Sequence, residues 1–488
     1  MAEKDRNVFV NRTCDCIGTG RMDLALQAEY QEELCAVQTL CHFRHIRGHG
    51  LFSEGMAIYA PYMDADGVEH AAYNFTYLDR VMDFYRSVGL APILELGFMP
   101  EKLSSGPETI FYWKGHVTPP NDEEKWKALV RATLSHLCAR YGREEVETWP
   151  VEVWNEPNLR GFWKDADKQA YFRLYEITVQ AVRDVSPCFQ VGGPVICGGD
   201  GSLQWIRDFL RFCEERALPL DYVSRHTYMG QTPEHAGRYL YHDMNRPEDV
   251  IAELEATRDV MKEFPRFRDL PLYITEFNTS YNPFCPIHDT LYNAVLISGL
   301  LLRMGRVADS YSYWTFGDVF EEQGVPSRLF HGGFGLMAQG CIPKPTLWAF
   351  HFFAGLRGET VCVRENSVMV RDGDAYTVVA WNPGRETAEE TWHIPMTGPL
   401  CVMRETVDED HGNPLKVWLA MGQPQSLSAD EERLVRESAV PGVRGECCTA
   451  GEDGLDVKAV LSGYALTRIR VQAQAASGDY GYSVDRYL

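Results

Sequence analysis

Residues 126–158, WKALVRATLSHLCARYGREEVETWPVEVWNEPN, decide the fold. Trp126, Val130, Leu134, Leu137 and Tyr141 recur at the spacing of a helix that buries one face. The apolar run Pro150 to Trp154 follows, of strand length, and gives way to the polar turn Asn155-Glu-Pro-Asn158. Working outward, the same rhythm repeats. Leu26, Tyr30, Leu34, Val37 and Cys41 form one helical stripe; Leu78, Val81, Tyr85 and Val88 form another, closed by Gly89. Strand-like runs lie near Cys14 to Gly18, then at Phe43 to Arg47, Ala91 to Leu96, Gln190 to Val195, Leu218 to Val223, Leu272 to Thr275 and Ser310 to Trp314. With Pro150 to Trp154 they make eight strands, each followed by a helical pattern. Eight such units predict an α/β chain folded as a (β/α)8 TIM barrel over residues 15–357. An open doubly wound sheet would usually carry a Gly-rich phosphate turn after its first strand. Cys16-Ile-Gly-Thr-Gly20 lacks the third glycine.

Beyond residue 358 the texture changes. Glu359 to Arg364, Val368 to Val370, Tyr376 to Trp381, Glu389 to Ile394 and Tyr464 to Val471 read as strands separated by turns such as Asp372-Gly373 and Asn382-Pro-Gly384. Residues 358–488 are therefore expected to form an antiparallel β-sandwich accessory domain, with one helix at Ala429 to Val440. Residues 1–14 are expected to add a strand packed on that sandwich, centred on Asn7 to Val10.

The 488 residues carry 47 Lys and Arg against 69 Asp and Glu, a net charge of −22. Such a chain is repelled by phosphate backbones and anionic lipid, which argues against nucleic acid and membrane partners and leaves uncharged sugars open. MAEKDRNVFV holds no signal-peptide core, so the expected location is cytoplasmic. The 14 cysteines include no C-x-x-C pair and the 14 histidines no H-x-H or H-E-x-x-H pair; reduced thiols, no metal and no cofactor are expected.

Two carboxylates fall where a barrel places its chemistry, at the carboxyl ends of strands. Glu156 ends the fourth strand, and Glu276 ends the seventh within Leu272-Tyr-Ile-Thr-Glu-Phe-Asn-Thr-Ser-Tyr281, 120 residues later. Both point toward one cleft. Cleaving a glycosidic bond takes two carboxyl groups: one protonates the leaving oxygen, the other attacks or stabilises the anomeric carbon. The bland alternative, two ordinary surface acids, fits poorly with their apolar, aromatic and amide flanks.

The segments Gly18-Thr-Gly-Arg21, Phe43-Arg-His-Ile-Arg-Gly-His-Gly-Leu51, Leu96-Gly-Phe-Met-Pro100, Phe111-Tyr-Trp-Lys-Gly115, Asn155-Glu-Pro157, Arg225-His-Thr-Tyr228 and the Glu276 stretch keep one order along the chain. In that order they resemble glycoside hydrolase family 39, the β-xylosidase family, and Met421-Gly-Gln-Pro424 resembles its accessory sandwich. The resemblance implies retention by double displacement, with Glu156 as general acid/base and Glu276 as nucleophile, some ~5 Å apart. It also implies sugar contacts from Asn155 and His49, a place for His226 and Tyr228 near the nucleophile, and a homo-oligomer, a tetramer. Trp314 is read as a stacking platform or as core. Of Glu321 and Glu322 one is expected to bind hydroxyls; Tyr281, Phe111 and Trp113 are read as rim and wall residues. Cys285 and His288 receive no role. The expected substrate is a short xylo-oligosaccharide. An α-L-iduronidase or arabinopyranosidase activity stays open, the former needing cations such as Lys114 or Arg225, as does a non-catalytic sugar-binding protein.

Overall fold

The computed structural model describes residues 8–476 and 481–486. Eight parallel strands close into a barrel: β1 (Cys16–Arg21), β2 (His45–His49), β3 (Ala91–Leu96), β4 (Val151–Val153), β5 (Val191–Ile196), β6 (Tyr222–Tyr228), β7 (Leu272–Asn278) and β8 (Ser310–Tyr313). Each neighbours the next in sequence, and β8 pairs back onto β1. Eight helices alternate with them: α1 (Ala28–Cys41), α2 (Thr76–Ser87), α3 (Glu123–Tyr141), α4 (Lys168–Val185), α5 (Ser202–Glu215), α6 (Pro247–Lys262), α7 (Leu291–Met304) and α8 (Pro345–Ala354).

The stripe read from residues 126–141 is the buried face of α3. Trp126, Val130, Leu134 and Leu137 are fully buried, and Trp126 Nε1 donates to Thr178 Oγ1 on α4 at 2.8 Å. Asp122 caps the helix by accepting from the amides of Glu124 and Lys125. The sixth strand differs from expectation. Leu218 to Leu220 precede it, and it runs on through Ser224-Arg-His-Thr-Tyr228. Those polar residues masked it because this barrel's interior is itself polar near the mouth.

The C-terminal region is two antiparallel sheets. In chain order its strands are β9 (Glu359–Val363), β10 (Ser367–Asp372), β11 (Ala375–Trp381), β12 (Ala388–Ile394), β13 (Gly398–Val407), β14 (Gly442–Ala450), β15 (Leu455–Leu461) and β16 (Leu466–Ala473). Six pair as β9-β10-β11-β16-β13-β14, and β12 pairs with β15. Met369, Val378, Val402, Ile469 and Val471 of the larger sheet share one core with Trp392, Ile394, Val457 and Leu461 of the smaller. Two further helices, α9 (Pro414–Ala420) and α10 (Ala429–Ser438), dock on the barrel: Trp418 and Val435 pack with Phe330 and Ile342.

The N-terminal strand is corrected. Asn7 lies outside the described residues, and residues 8–14 form no strand. Phe9 instead wedges between the two units. Its amide donates to Thr360 Oγ1 at 3.1 Å and its ring meets Phe353 of α8 edge-on.

Candidate active site

The barrel mouth is built around a buried arginine. Arg47, on β2, is fully buried, and no cation stays in such a place without partners. Its Nε donates to Glu152 Oε2 at 2.6 Å and its Nη1 to Glu276 Oε1 at 2.7 Å. Its Nη2 reaches Asn155 Oδ1 at 3.0 Å and Glu95 Oε2 at 2.7 Å. One guanidinium thus ties the ends of β2, β3, β4 and β7 together and fixes one oxygen of Glu276. Arg47→Met leaves three buried carboxylates without their cation, so a stability loss of about 3–5 kcal/mol is expected in denaturant melts.

The second Glu276 oxygen accepts from Tyr228 OH at 2.7 Å. Burial, then the charge of Glu276, pushes the Tyr228 phenol well up, so it stays a donor. Glu156 follows β4 with its amide bonded to Val195 O at 2.8 Å. Its φ is +44° and that of Trp154 is +72°, left-handed values that side-chain-bearing residues seldom hold unless the surroundings impose them. Burial raises the Glu156 carboxyl well above the usual range, and the nearby Glu276 raises it further. His226 Nδ1 lies 2.8 Å from Glu156 Oε1 and 3.4 Å from Glu276 Oε2. Burial, then Arg47, His49 and Arg225, holds that imidazole far below its ordinary value, so it is neutral.

Glu156, Tyr228 and Glu276 line a cavity of about 370 Å³ with His49, Asn155, Leu159, Phe162, Cys197, Tyr281, Trp314 and Glu322, while His226 is not among the lining residues and reaches the two carboxyl groups from behind. His49 is held by Glu95 at 2.8 Å on Nδ1, so its Nε2 faces inward, 3.5 Å from Glu276 Oε1. Trp314 packs 4.6 Å from the His49 ring as the inner wall; Tyr281, half exposed, stands at the mouth. Asn155 Nδ2 is buried without a hydrogen-bond partner, a donor free for a ligand.

The two loop acids part company. Glu322 lines the cavity, and burial followed by Glu276, Glu156 and Glu95 raises its carboxyl well above the usual range. Glu321 does not line it: its carboxylate is taken by Arg21 and Gln27. Phe111 and Trp113 are not among the residues that line this cavity. They adjoin it, Phe111 packed on Phe162 at 5.4 Å and on Trp113 at 5.4 Å and stacked with His49 at 6.3 Å. Sequence reasoning assigned no role to Arg47, Glu95, Glu152, Cys197, Leu159 or Phe162. Charges inside apolar strand runs were the available signal for the first three; Cys197, which lines the cavity with Glu156, had none.

Glu156, His226 and Glu276 present ligand-capable atoms within 4.8 Å of one another. Arg47 beside Glu276 opposes a second cation there, and His226 Nε2 lacks the outer hydrogen bond that metal-bound imidazoles make. The donor set fits proton transfer better than a resident metal.

A barrel with two carboxyl groups at the ends of its fourth and seventh strands, facing one sugar-sized cavity, defines a glycoside hydrolase. The profile of the glycosyl hydrolases family 39 matches residues 1–452, and the chain belongs to that family. It is 46% identical over 469 residues to a β-xylosidase of Geobacillus stearothermophilus, covering 94% of this chain and 92% of the relative. A β-xylosidase of Caldicellulosiruptor saccharolyticus is 33% identical over 87% of each chain. The crystal structure of a monomeric β-xylosidase from Caulobacter crescentus CB15 superposes with a TM-score of 0.88 at 29% identity, covering 96% of this chain and 98% of that one. No helix among the described residues is long and apolar enough to cross a membrane.

Proposed function

We propose that the protein is a retaining, exo-acting β-D-xylosidase that releases xylose from short xylo-oligosaccharides, with Glu156 as acid/base and Glu276 as nucleophile. The observation that carries this reading is the pairing itself: a carboxyl kept protonated by burial, within 4.8 Å of a carboxylate held by Arg47 and Tyr228. Retaining pairs stand about 5–5.5 Å apart, whereas inverting pairs leave about 6.5–9.5 Å for a water. Glu276 attacks the anomeric carbon while Glu156 gives its proton to the leaving oxygen. Forming the glycosyl ester removes the charge on Glu276, which lowers the Glu156 pKa and lets it take a proton from water in the second step.

The cavity's lining supports a neutral sugar. Among the described residues it includes no Lys or Arg, which a uronic carboxylate would need, and this weighs against an α-L-iduronidase. Lys114 is exposed, and Arg225 is engaged by Glu253 and Thr257 outside the cavity. Asn155, His49 and the protonated carboxyl of Glu322 supply polar contacts for hydroxyls, and Trp314 a flat face. The fourteen cysteines are all free thiols, which fits the cytoplasmic reading. The expected homo-oligomer, a tetramer, is tested by light scattering of the purified chain, and a monomer mass overturns it.

Release of nitrophenol from a panel of nitrophenyl glycosides, with EDTA present, tests the assignment. The β-xyloside is expected to be cleaved fastest. A faster α-L-arabinopyranoside or other glycoside overturns the substrate, and silence from a folded chain puts the binding-protein reading first.

A further inference from the structure

Behind the cavity wall sits a second buried ionic cluster that the proposed reaction does not use. Lys344, fully buried, precedes α8; its Nζ lies 2.7 Å from Asp289 Oδ1 and 2.6 Å from Asp318 Oδ2, and donates to Gly333 O at 2.8 Å. Asp318 is fully buried and Asp289 nearly so. The other oxygens of both carboxylates are used as well. Asp318 Oδ1 accepts from the amide of Gly335 and Asp289 Oδ2 from the amide of Gly332, each at 2.7 Å. His288, given no role by the sequence, has Nδ1 2.8 Å from Gly332 O.

The three charged groups come from three places. Asp289 belongs to the loop after β7, which also carries Tyr281; Asp318 opens the long loop after β8, and Gly332, Gly333 and Gly335 close it. Between those ends the loop carries Glu322 into the cavity. It also carries Phe320 and Phe334, which pack edge-to-face on each other, and Phe320 packs on Trp314. The fit depends on glycine: a Cβ at Gly333 would come within 2.4 Å of Asp318 Oδ1, and one at Gly335 within 2.6 Å. Burying an ammonium and two carboxylates is weak evidence for stability, because desolvation offsets much of the attraction. What the cluster does is fix a geometry.

We propose that Lys344 is a positioning residue for glycone recognition, clamping the base of the β8 loop through Asp318 and Asp289 so that Glu322 meets the sugar. This rests on the reading of Glu322 as a sugar contact. Glu322 would bind the sugar alike before and during reaction, so losing its placement weakens binding without slowing chemistry.

The test is a double-mutant cycle in the full-length protein on nitrophenyl β-xyloside. Glu322→Ala and Lys344→Met are each expected to raise KM, and Ki for xylose, about tenfold, with kcat within about threefold. Together they should exceed either alone by less than about threefold, because the clamp acts through Glu322. If Lys344→Met does not fold, Gly333→Ala takes its place, since its Cβ displaces the Asp318 anchor without unpairing a charge. Unchanged KM in a folded clamp variant, effects that multiply with those of Glu322→Ala, or a loss confined to kcat overturns the clamp. Unchanged KM in Glu322→Ala alone overturns the sugar-contact reading beneath it, and the proposal with it.

Discussion

Glu276→Ala is expected to abolish turnover on every glycoside, by a factor on the order of 10⁴ or more, whatever the leaving group. No other carboxylate can take its place. Glu152 and Glu95 are close, but both are fully buried beneath Arg47 and bound to it, turned away from the cavity's lining. Glu322 lines the cavity, yet burial and its negative neighbours favour its protonated form, which is a poor nucleophile. The loss should therefore be the same for substrates with good and poor leaving groups. Initial rates on aryl xylosides that differ in leaving-group pKa measure it, and residual activity that varies with the leaving group would remove Glu276 from the nucleophile's role. The folded state should survive: Arg47 keeps Glu95 and Glu152, and a charge leaves a site that holds three carboxylates around one guanidinium.

The barrel was legible where its helices bury a single face. Residues 126–158 contain the pattern in miniature: a stripe from Trp126 to Leu137, then a short apolar strand, then the acid. The same logic failed where burial and polarity coincide. β6 was read too early because Arg225 and His226 look like loop residues, although both are fully buried within the strand. In the C-terminal region β14 was missed because its residues are mostly exposed and its Val-Arg-Gly-Glu run is that of an edge strand. β15 does alternate, with Val457, Ala459 and Leu461 inward and Asp456, Lys458 and Val460 outward, and could have been found by period-two counting.

For the site, chain position alone located the two carboxylates, because strand ends are legible and barrels put chemistry there. What holds them was not legible. Arg47 touches groups from β3, β4 and β7, contacts separated by up to 229 residues that no local pattern encodes. The choice between Glu321 and Glu322 likewise turns on which of two adjacent side chains meets Arg21, a matter of loop path. Lys344 lies between two prolines in Pro343-Lys-Pro345, where a surface lysine is the ordinary reading, and only tertiary structure shows it enclosed by Asp289 and Asp318.

Glu156→Ala should behave differently from the nucleophile variant, and the difference is the sharper evidence for the roles. Without the acid, the first step still runs when the leaving group departs unprotonated, so activated aryl xylosides should give a burst of phenol. Hydrolysis of the ester then stalls, because nothing takes the proton from water; azide, which needs no base, should restore turnover and appear as a xylosyl azide of retained configuration. Natural xylo-oligosaccharides should lose on the order of 10³-fold or more, since their alkoxide leaving groups need the proton. The pH profile follows with its sign fixed by the same residue. Burial and Glu276 raise Glu156, so in the free enzyme the basic limb of kcat/KM belongs to its deprotonation and lies above the ordinary carboxylate range. Glu156→Gln should erase that limb on activated substrates. The shift is also a stability statement. A carboxyl whose folded pKa exceeds its unfolded one favours the folded state fully below the unfolded value, and the advantage drains away as pH rises toward the folded value. Glu156→Gln, which cannot ionise, should thus melt higher than the parent at alkaline pH while catalysing worse. A Glu156→Gln variant that kept the basic limb, or a burst absent from Glu156→Ala, would place the acid elsewhere.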